Sequence, residues 1–131
     1  MTRRKFTTYD PATGRIMGNG VASNWQDQSP EYERIVDQHI DGNEWYIVNG
    51  EPAPRPDPLP IIFSPATIAA DNIDETEVLG IEVGAVLIFS GIHYDISDLD
   101  VRLSTDLVGP NKVIVEYFPH KPFIGTFHAT N

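Results

Sequence analysis

The chain has 131 residues, no cysteine and a formal net charge of −10, a size that suits one domain or a compact domain with a smaller appendage. Without cysteine there are no disulfides, no thiol catalysis and no cysteine-ligated zinc, and so acidic a chain repels phosphate backbones, which argues against a nucleic-acid partner. Arg3, Arg4 and Lys5 open the chain but no long apolar run follows them, so the expectation is a soluble product with neither a secretory signal nor membrane insertion.

From Lys5 to Ala22 the pattern predicts a hairpin. A short strand runs through Phe6 and Tyr9, a turn occupies Asp10-Pro11-Ala12-Thr13-Gly14, and the return passes through Arg15, Ile16 and Met17. Asp10 can accept hydrogen bonds from the turn backbone, Pro11 presets φ, and Gly14 can take a positive φ. The following Gly18-Asn19-Gly20 predicts a bulge or a close backbone approach. Ser23 to Ser29 reads as a loop despite Trp25. Pro30 to Arg34, with Ser29 as cap, has the opening of a helix, but Ile35, Val36 and Ile40 do not sustain a helical stripe and Asp41-Gly42-Asn43 would break one. Strands are therefore expected, the most β-prone being Trp45-Tyr46-Ile47-Val48.

Asn49-Gly50 is a strong two-residue hairpin signal and should turn that strand back onto Glu51 to Arg55. Pro52, Pro54, Pro56, Pro58 and Pro60 fall at alternate positions, so the returning arm belongs on an edge and continues as a stiff, extended spacer. The resulting plan is a β-hairpin docking domain over 1–50, a proline-rich linker over 51–60 and a second domain over 61–131.

In that second domain Ala66 to Ala70 and Thr76 to Ile81 form a pair of strands about an acidic turn containing Asp71, Asp74 and Glu75. Ser90-Gly91 turns Ile92 to Ile96 back alongside Val86 to Phe89, and Asp98 to Asp100 marks a reversal. Val101, Leu103, Thr105 and Leu107 alternate with Arg102, Ser104 and Asp106, as in a half-buried strand. Gly109-Pro110-Asn111 reads as the next turn. Beyond it Val113, Val115 and Tyr117 share one face, as do Phe123, Phe127 and Ala129, with Gly125 leaving a gap. About seven strands at such spacing predict an all-β fold: an N-terminal β-hairpin ribbon followed by an immunoglobulin-like β-sandwich, without the tryptophan and cysteine pair of antibody domains.

Markers of chemistry are sparse. His39, His93, His120 and His128 are scattered, with no metal-like pair spacing, and there is neither a Gly-x-Ser-x-Gly elbow nor a phosphate loop. The expectation is a protein that is not an enzyme and has no catalytic residue, cofactor or resident metal. Asp95, Asp98 and Asp100, joined in space by Asp71 and Asp74, would be a calcium candidate, but the spacing is unspecific and aspartate favours turns for its own reasons. The acids neither supply nor exclude the facing carboxylate pair of a glycosidase. Contacts are the better prospect. Trp25, Tyr32, Trp45 and Tyr46 are candidate protein contacts, because so short a ribbon can hardly bury them all. His120 and Lys121, in the loop Pro119 to Pro122 between Tyr117-Phe118 and Phe123, are candidate loop contacts; the competing reading packs Phe118 and Phe123 inward and leaves the prolines to stiffen the turn.

The words Tyr9-Asp10-Pro11-Ala12-Thr13-Gly14-Arg15-Ile16 and Trp45-Tyr46-Ile47-Val48-Asn49-Gly50-Glu51, with the proline-rich sequel, resemble the opening of small proteins from tailed-bacteriophage tail and tail-fibre regions. Phe63-Ser64-Pro65-Ala66-Thr67-Ile68-Ala69-Ala70-Asp71 and the closing Val115-Glu116-Tyr117-Phe118-Pro119 are similar to bacterial-type immunoglobulin-like modules found on phage virions. The resemblance implies a virion component of the tail, tail tip or tail fibre, made in the bacterial host cytoplasm. Its ribbon would dock on other virion proteins, copies would form a homo-oligomer within the assembly, and the sandwich would project toward neighbours or the host. It carries over no active residue. Two alternatives stand beside it: a tail-fibre assembly chaperone, whose first half resembles the same hairpin pattern but which leaves before the particle is complete, and a module that binds or cleaves host-surface glycan with aromatics and acids near Pro119 to Pro122.

Overall fold

The computed structural model describes residues 4–22, 32–36 and 38–131. Trp25, and the loop and helix readings between Ser23 and Glu31, lie outside the described residues. Among those described are thirteen strands and no helix, so the protein is all-β, and none of its helices is long and apolar enough to cross a membrane because it has none there. The chain divides into two compact units, Met1–Pro56 and Asp57–Asn131.

In the first unit β1 (Arg4–Tyr9) and β2 (Ile16–Ala22) form the expected hairpin, and β3 (Glu33–Val36) flanks β1 on its other side. Asp10 Oδ1 accepts the Ala12 amide at 2.9 Å, the Gly14 amide donates to the Asp10 carbonyl at 2.7 Å, and Gly14 has a φ of 82°. The register runs from Thr8 opposite Gly18 to Tyr9 opposite Ile16. Met17 is thus the extra residue of a bulge that sits just ahead of the glycine pair. Gly20 supplies the close approach, since a Cβ there would lie 2.8 Å from the Phe6 ring.

A second hairpin joins β4 (Trp45–Val48) to β5 (Glu51–Pro54), with Asn49 and Gly50 at φ 52° and 79°, the left-handed pair that a type I′ turn requires. Pro52 and Pro54 lie opposite Ile47 and Trp45, and the Arg55 amide donates to the Glu44 carbonyl at 2.9 Å. Hydrogen bonding alternates along an antiparallel ladder, so proline at every second residue leaves the amides of Glu51, Ala53 and Arg55 free to bond across the hairpin. The proline spacing is therefore compatible with a paired strand, and Glu51–Pro54 belongs to the first unit.

Tyr9, Ile40 and Ile47 form the buried cluster of this unit, with Ile16 and Ile35 packed against it. Beside it the Ile40 amide donates to both Thr7 Oγ1 and Asn19 Oδ1 at 3.0 Å, while Asn19 Nδ2 donates to the Ile40 carbonyl at 3.1 Å and Thr7 Oγ1 to the Gln38 carbonyl at 3.0 Å. The first turn is pressed against β4: the Ile47 amide donates to the Gly14 carbonyl at 2.8 Å, and a Cβ on Gly14 would fall 2.0 Å from the Ile47 oxygen.

The second unit contains β6 (Ile62–Ser64), β7 (Thr67–Ala69), β8 (Thr76–Leu79), β9 (Val86–Phe89), β10 (Ile92–Asp95), β11 (Arg102–Leu103), β12 (Gly109–Glu116) and β13 (Phe123–Thr130). They form a five-stranded sheet in the order β10-β9-β12-β13-β7 and a three-stranded sheet in the order β11-β8-β6. Every pairing is antiparallel except β7 with β13. The two sheets share one apolar core: Ile68, Leu87, Phe89, Val113, Val115, Phe127 and Ala129 enter from the first, Val78 and Leu103 from the second. Phe127 is fully buried, with its ring centroid 5.7 Å from those of both Phe63 and Phe89. The predicted gap at Gly125 is filled by the Phe123 ring, which a Cβ would approach to 2.5 Å.

Three expectations are corrected here. The strand read over Val101 to Leu107 is confined to Arg102–Leu103, because the Thr105 hydroxyl donates to Asn111 Oδ1 and accepts the Leu107 amide, both at 3.0 Å. The chain turns there, and Leu107 is left exposed. Gly109-Pro110-Asn111 is the start of β12 rather than a turn; the buried Asn111 is tolerated because its amide group donates to the Leu107 and Gly109 carbonyls at 3.0 and 3.1 Å. Finally, Ala66 to Ala70 and Thr76 to Ile81 do not pair with each other. β7 runs parallel to β13 while β8 lies between β6 and β11, so the acidic turn carries the chain from one sheet to the other.

Candidate functional site

The aromatic residues singled out in the first unit fall at separate places. Ile47 enters the cluster, whereas Trp45, two residues earlier on β4, stays 41% exposed. It lines an open hollow of about 440 Å³ with Gln38, His39, Ile40, Asp41 and Pro52. Tyr32 is half-buried and lines a different hollow of about 380 Å³, where Phe6, Thr8, Met17 and Gly20 are its neighbours. Tyr46 is half-buried as well.

His39 Nε2 lies 3.0 Å from the Gly20 carbonyl, which ties the rim of the Trp45 hollow to β2. Tyr9 is held in the cluster by its hydroxyl, which donates to Glu33 Oε2 at 3.2 Å. Burial first, and then that hydrogen bond and the Glu33 charge, push the Tyr9 phenol above its ordinary range. Trp45, Tyr32 and their surroundings offer ring faces and aliphatic surface, which are means of contact rather than of bond cleavage.

In the second unit His120 and Lys121 are half-buried. The His120 ring stacks on Tyr117, with centroids 5.8 Å apart and planes at 23°, and its Nδ1 lies 2.7 Å from the Asp57 carbonyl. Phe123 packs against the core and its ring centroid is 6.1 Å from that of Phe63, as the inward reading of that loop requires of this one of its two phenylalanines.

The acids behave as turn residues. Asp71 Oδ1 accepts the amides of Ile73 and Asp74 at 2.9 and 2.8 Å, Asp74 Oδ2 accepts the Ala69 amide at 2.9 Å, and Asp98 Oδ1 accepts the Asp100 amide at 2.8 Å. The donated amides of Asp74 and Ile73 hold the Asp71 carboxyl below its usual range. Asp100 pairs with Arg102 at 2.8 Å, and that hydrogen bond keeps the Arg102 guanidinium even more firmly protonated than usual. Among the described residues no three His, Asp or Glu side chains converge as metal ligands would, so the five aspartates of the calcium reading do not form a site.

One feature was missed by sequence reasoning. A groove of about 410 Å³ opens between β10 and β11, lined by Leu87, Phe89, Ile96 and Leu103 below and by Tyr94, Asp95, Asp98, Asp100 and Arg102 around it. The alternation in Ile92-His93-Tyr94-Asp95 places Tyr94 on a definite face, but that this face lies open follows only from the position of β10 at the end of its sheet. No family model, curated protein or solved structure matches this chain.

Proposed function

We propose that the protein is a non-enzymatic structural component of a tailed-phage virion, associated with the tail, tail tip or tail fibre. The first unit docks on neighbouring virion proteins, and the second presents an immunoglobulin-like module. The observation that carries the reading is Trp45, 41% exposed beside a buried cluster that among the described residues consists of Tyr9, Ile40 and Ile47. A large ring left at the surface of so small a unit gains most when another protein covers it. Copies repeated around a symmetric particle would then add weak single contacts through multivalency.

The immunoglobulin-like part is supported by strand order. Naming β6 to β13 in turn A, A′, B, C, C′, E, F and G, the sheet C′-C-F-G-A′ accompanies the sheet E-B-A, an arrangement close to that of variable-type domains without a D strand. The test is mass spectrometry of purified particles. The protein should be present at a fixed ratio to the tail proteins, and a Trp45→Ala variant should be depleted from particles while remaining folded in the lysate. Particles that lack the protein altogether would overturn the reading, and its presence in the lysate alone would favour the assembly-chaperone role.

A further inference from the structure

β10 is the last strand of its sheet, and all four of its residues are exposed. Its hairpin with β9 sets Ile92 opposite Phe89 and Tyr94 opposite Leu87, so Ile92 and Tyr94 stand on the side of the sheet that faces the core. They nevertheless remain 53% and 43% exposed, because no described strand follows β10 to close over them.

The hydrogen-bonding phase of this edge can be worked out. The Ile96 amide donates to the Ala85 carbonyl at 2.9 Å, and the Ile96 carbonyl accepts the Gly84 amide at 2.8 Å. Since bonding alternates along an antiparallel pair, Ile92, Tyr94 and Ile96 direct their backbone groups at β9. His93 and Asp95 direct theirs away from it. On that open side lies the groove of about 410 Å³, floored by core side chains and bounded across by β11, itself the last strand of the three-stranded sheet. Asp98 and Asp100 stand around it, with Arg102 already paired to Asp100, and Asp95 borders it from β10 with its side chain on the opposite face of the sheet.

We infer that this groove accepts an extended, lysine- or arginine-bearing segment of a partner protein, which adds to β10 as a further strand. The outward N–H and C=O groups of His93 and Asp95 supply the main-chain hydrogen bonds of such strand addition. Alternate apolar side chains of the guest enter beneath Tyr94 toward Leu87, Phe89 and Leu103. The intervening side chains point to the other face, where the Asp95 side chain also points, so that is where cations are favoured. Charge excludes a second copy as the favoured occupant, since this chain carries a net −10. The inference does not depend on the virion reading, because it concerns the second unit alone.

The test titrates the isotope-labelled full-length chain with two hexapeptides, one alternating lysine with valine and one alternating glutamate with valine. The basic peptide should shift the amide resonances of His93, Asp95 and Arg102 saturably, and the acidic one should leave them in place. His93→Pro removes an amide that the fold does not use, which an edge strand tolerates, and should weaken binding about fivefold to tenfold. Asp95→Lys should weaken it as well, through charge alone. No saturable shift at these resonances, an equal response to both peptides, or undiminished binding by His93→Pro and Asp95→Lys would overturn the inference. So would shifts that appear on raising the protein concentration alone, which would mean that the groove is filled by a second copy.

Discussion

Among the described residues the second unit encloses fourteen buried apolar side chains in one core, drawn from two sheets and the segments that join their strands, whereas the corresponding cluster of the first holds Tyr9, Ile40 and Ile47. At roughly 1.5–3 kcal/mol for each fully buried large apolar side chain, that difference outweighs any single hydrogen bond of about 1 kcal/mol. The first unit relies correspondingly more on directional contacts. Thr7 and Asn19 grip the backbone of Ile40 from both sides, and the first turn meets β4 backbone to backbone at Gly14 and Ile47. A fold held by apolar area is supported by its own interior, whereas one held by a few polar contacts, with Trp45 at its surface, has the most to gain from a partner.

The contrast can be broken most forcefully at Phe127. Phe127→Ala opens a cavity where the ring now meets Phe63 and Phe89, and should cost about 3–5 kcal/mol. Chemical denaturation should show the loss in the transition of the second unit, with the amide spectrum of the first little changed. Gly14→Ala tests the other side. Alanine at a φ of 82° is strained, and its Cβ would collide with the Ile47 carbonyl, so the first unit should lose roughly 2 kcal/mol or more. Hydrogen exchange at β1 and β4 reads that loss directly. Thr7→Val, isosteric and fully buried, deletes the hydroxyl between Ile40 and Gln38 and should cost about 1–3 kcal/mol, seen as faster exchange at Ile40.

How far each unit could be read in advance follows the same division between local and distant causes. The turns at Asn49-Gly50 and Ser90-Gly91 were legible because all four residues take positive φ, a demand written in the residue types themselves. Inward faces were legible too, at Val113, Val115, Phe127 and Ala129, since alternation records which side of a strand is buried. Alternation does not say which strand lies beside which, and so the parallel pairing of β7 with β13 and the place of β8 between β6 and β11 were hidden. The break after Leu103 was hidden for another reason: Thr105 continues the apolar-polar rhythm, but its hydroxyl is committed to Asn111. Of the candidate contacts, the exposure of Trp45 was foreseeable from the small size of its unit, while the internal stacking of His120 on Tyr117 was not.

A smaller effect sharpens the comparison from the acid side. The amides of Asp74 and Ile73 hold the Asp71 carboxyl below the ordinary carboxylate range. The stability it contributes to the second unit is therefore complete above the unfolded carboxylate value of about 3.9, and is lost as pH falls through the lowered folded value. Asp71→Asn keeps an oxygen for the same two amides but cannot titrate. The variant should therefore be slightly less stable than the parent near neutral pH and converge with it in acid, showing a shallower fall in stability below about pH 4, measured by thermal melts across that range.

The proposed division of labour between the units is tested most directly by hydrogen exchange on the full-length chain, free in solution and then within purified particles. Amides of β9, β12 and β13 should be strongly protected in both states, whereas those of β1 to β4 should be less protected in the free chain and gain protection once it is assembled. Equal protection of the two units in the free chain, unchanged on assembly, would contradict the claim that the first unit exists to be seated against a partner.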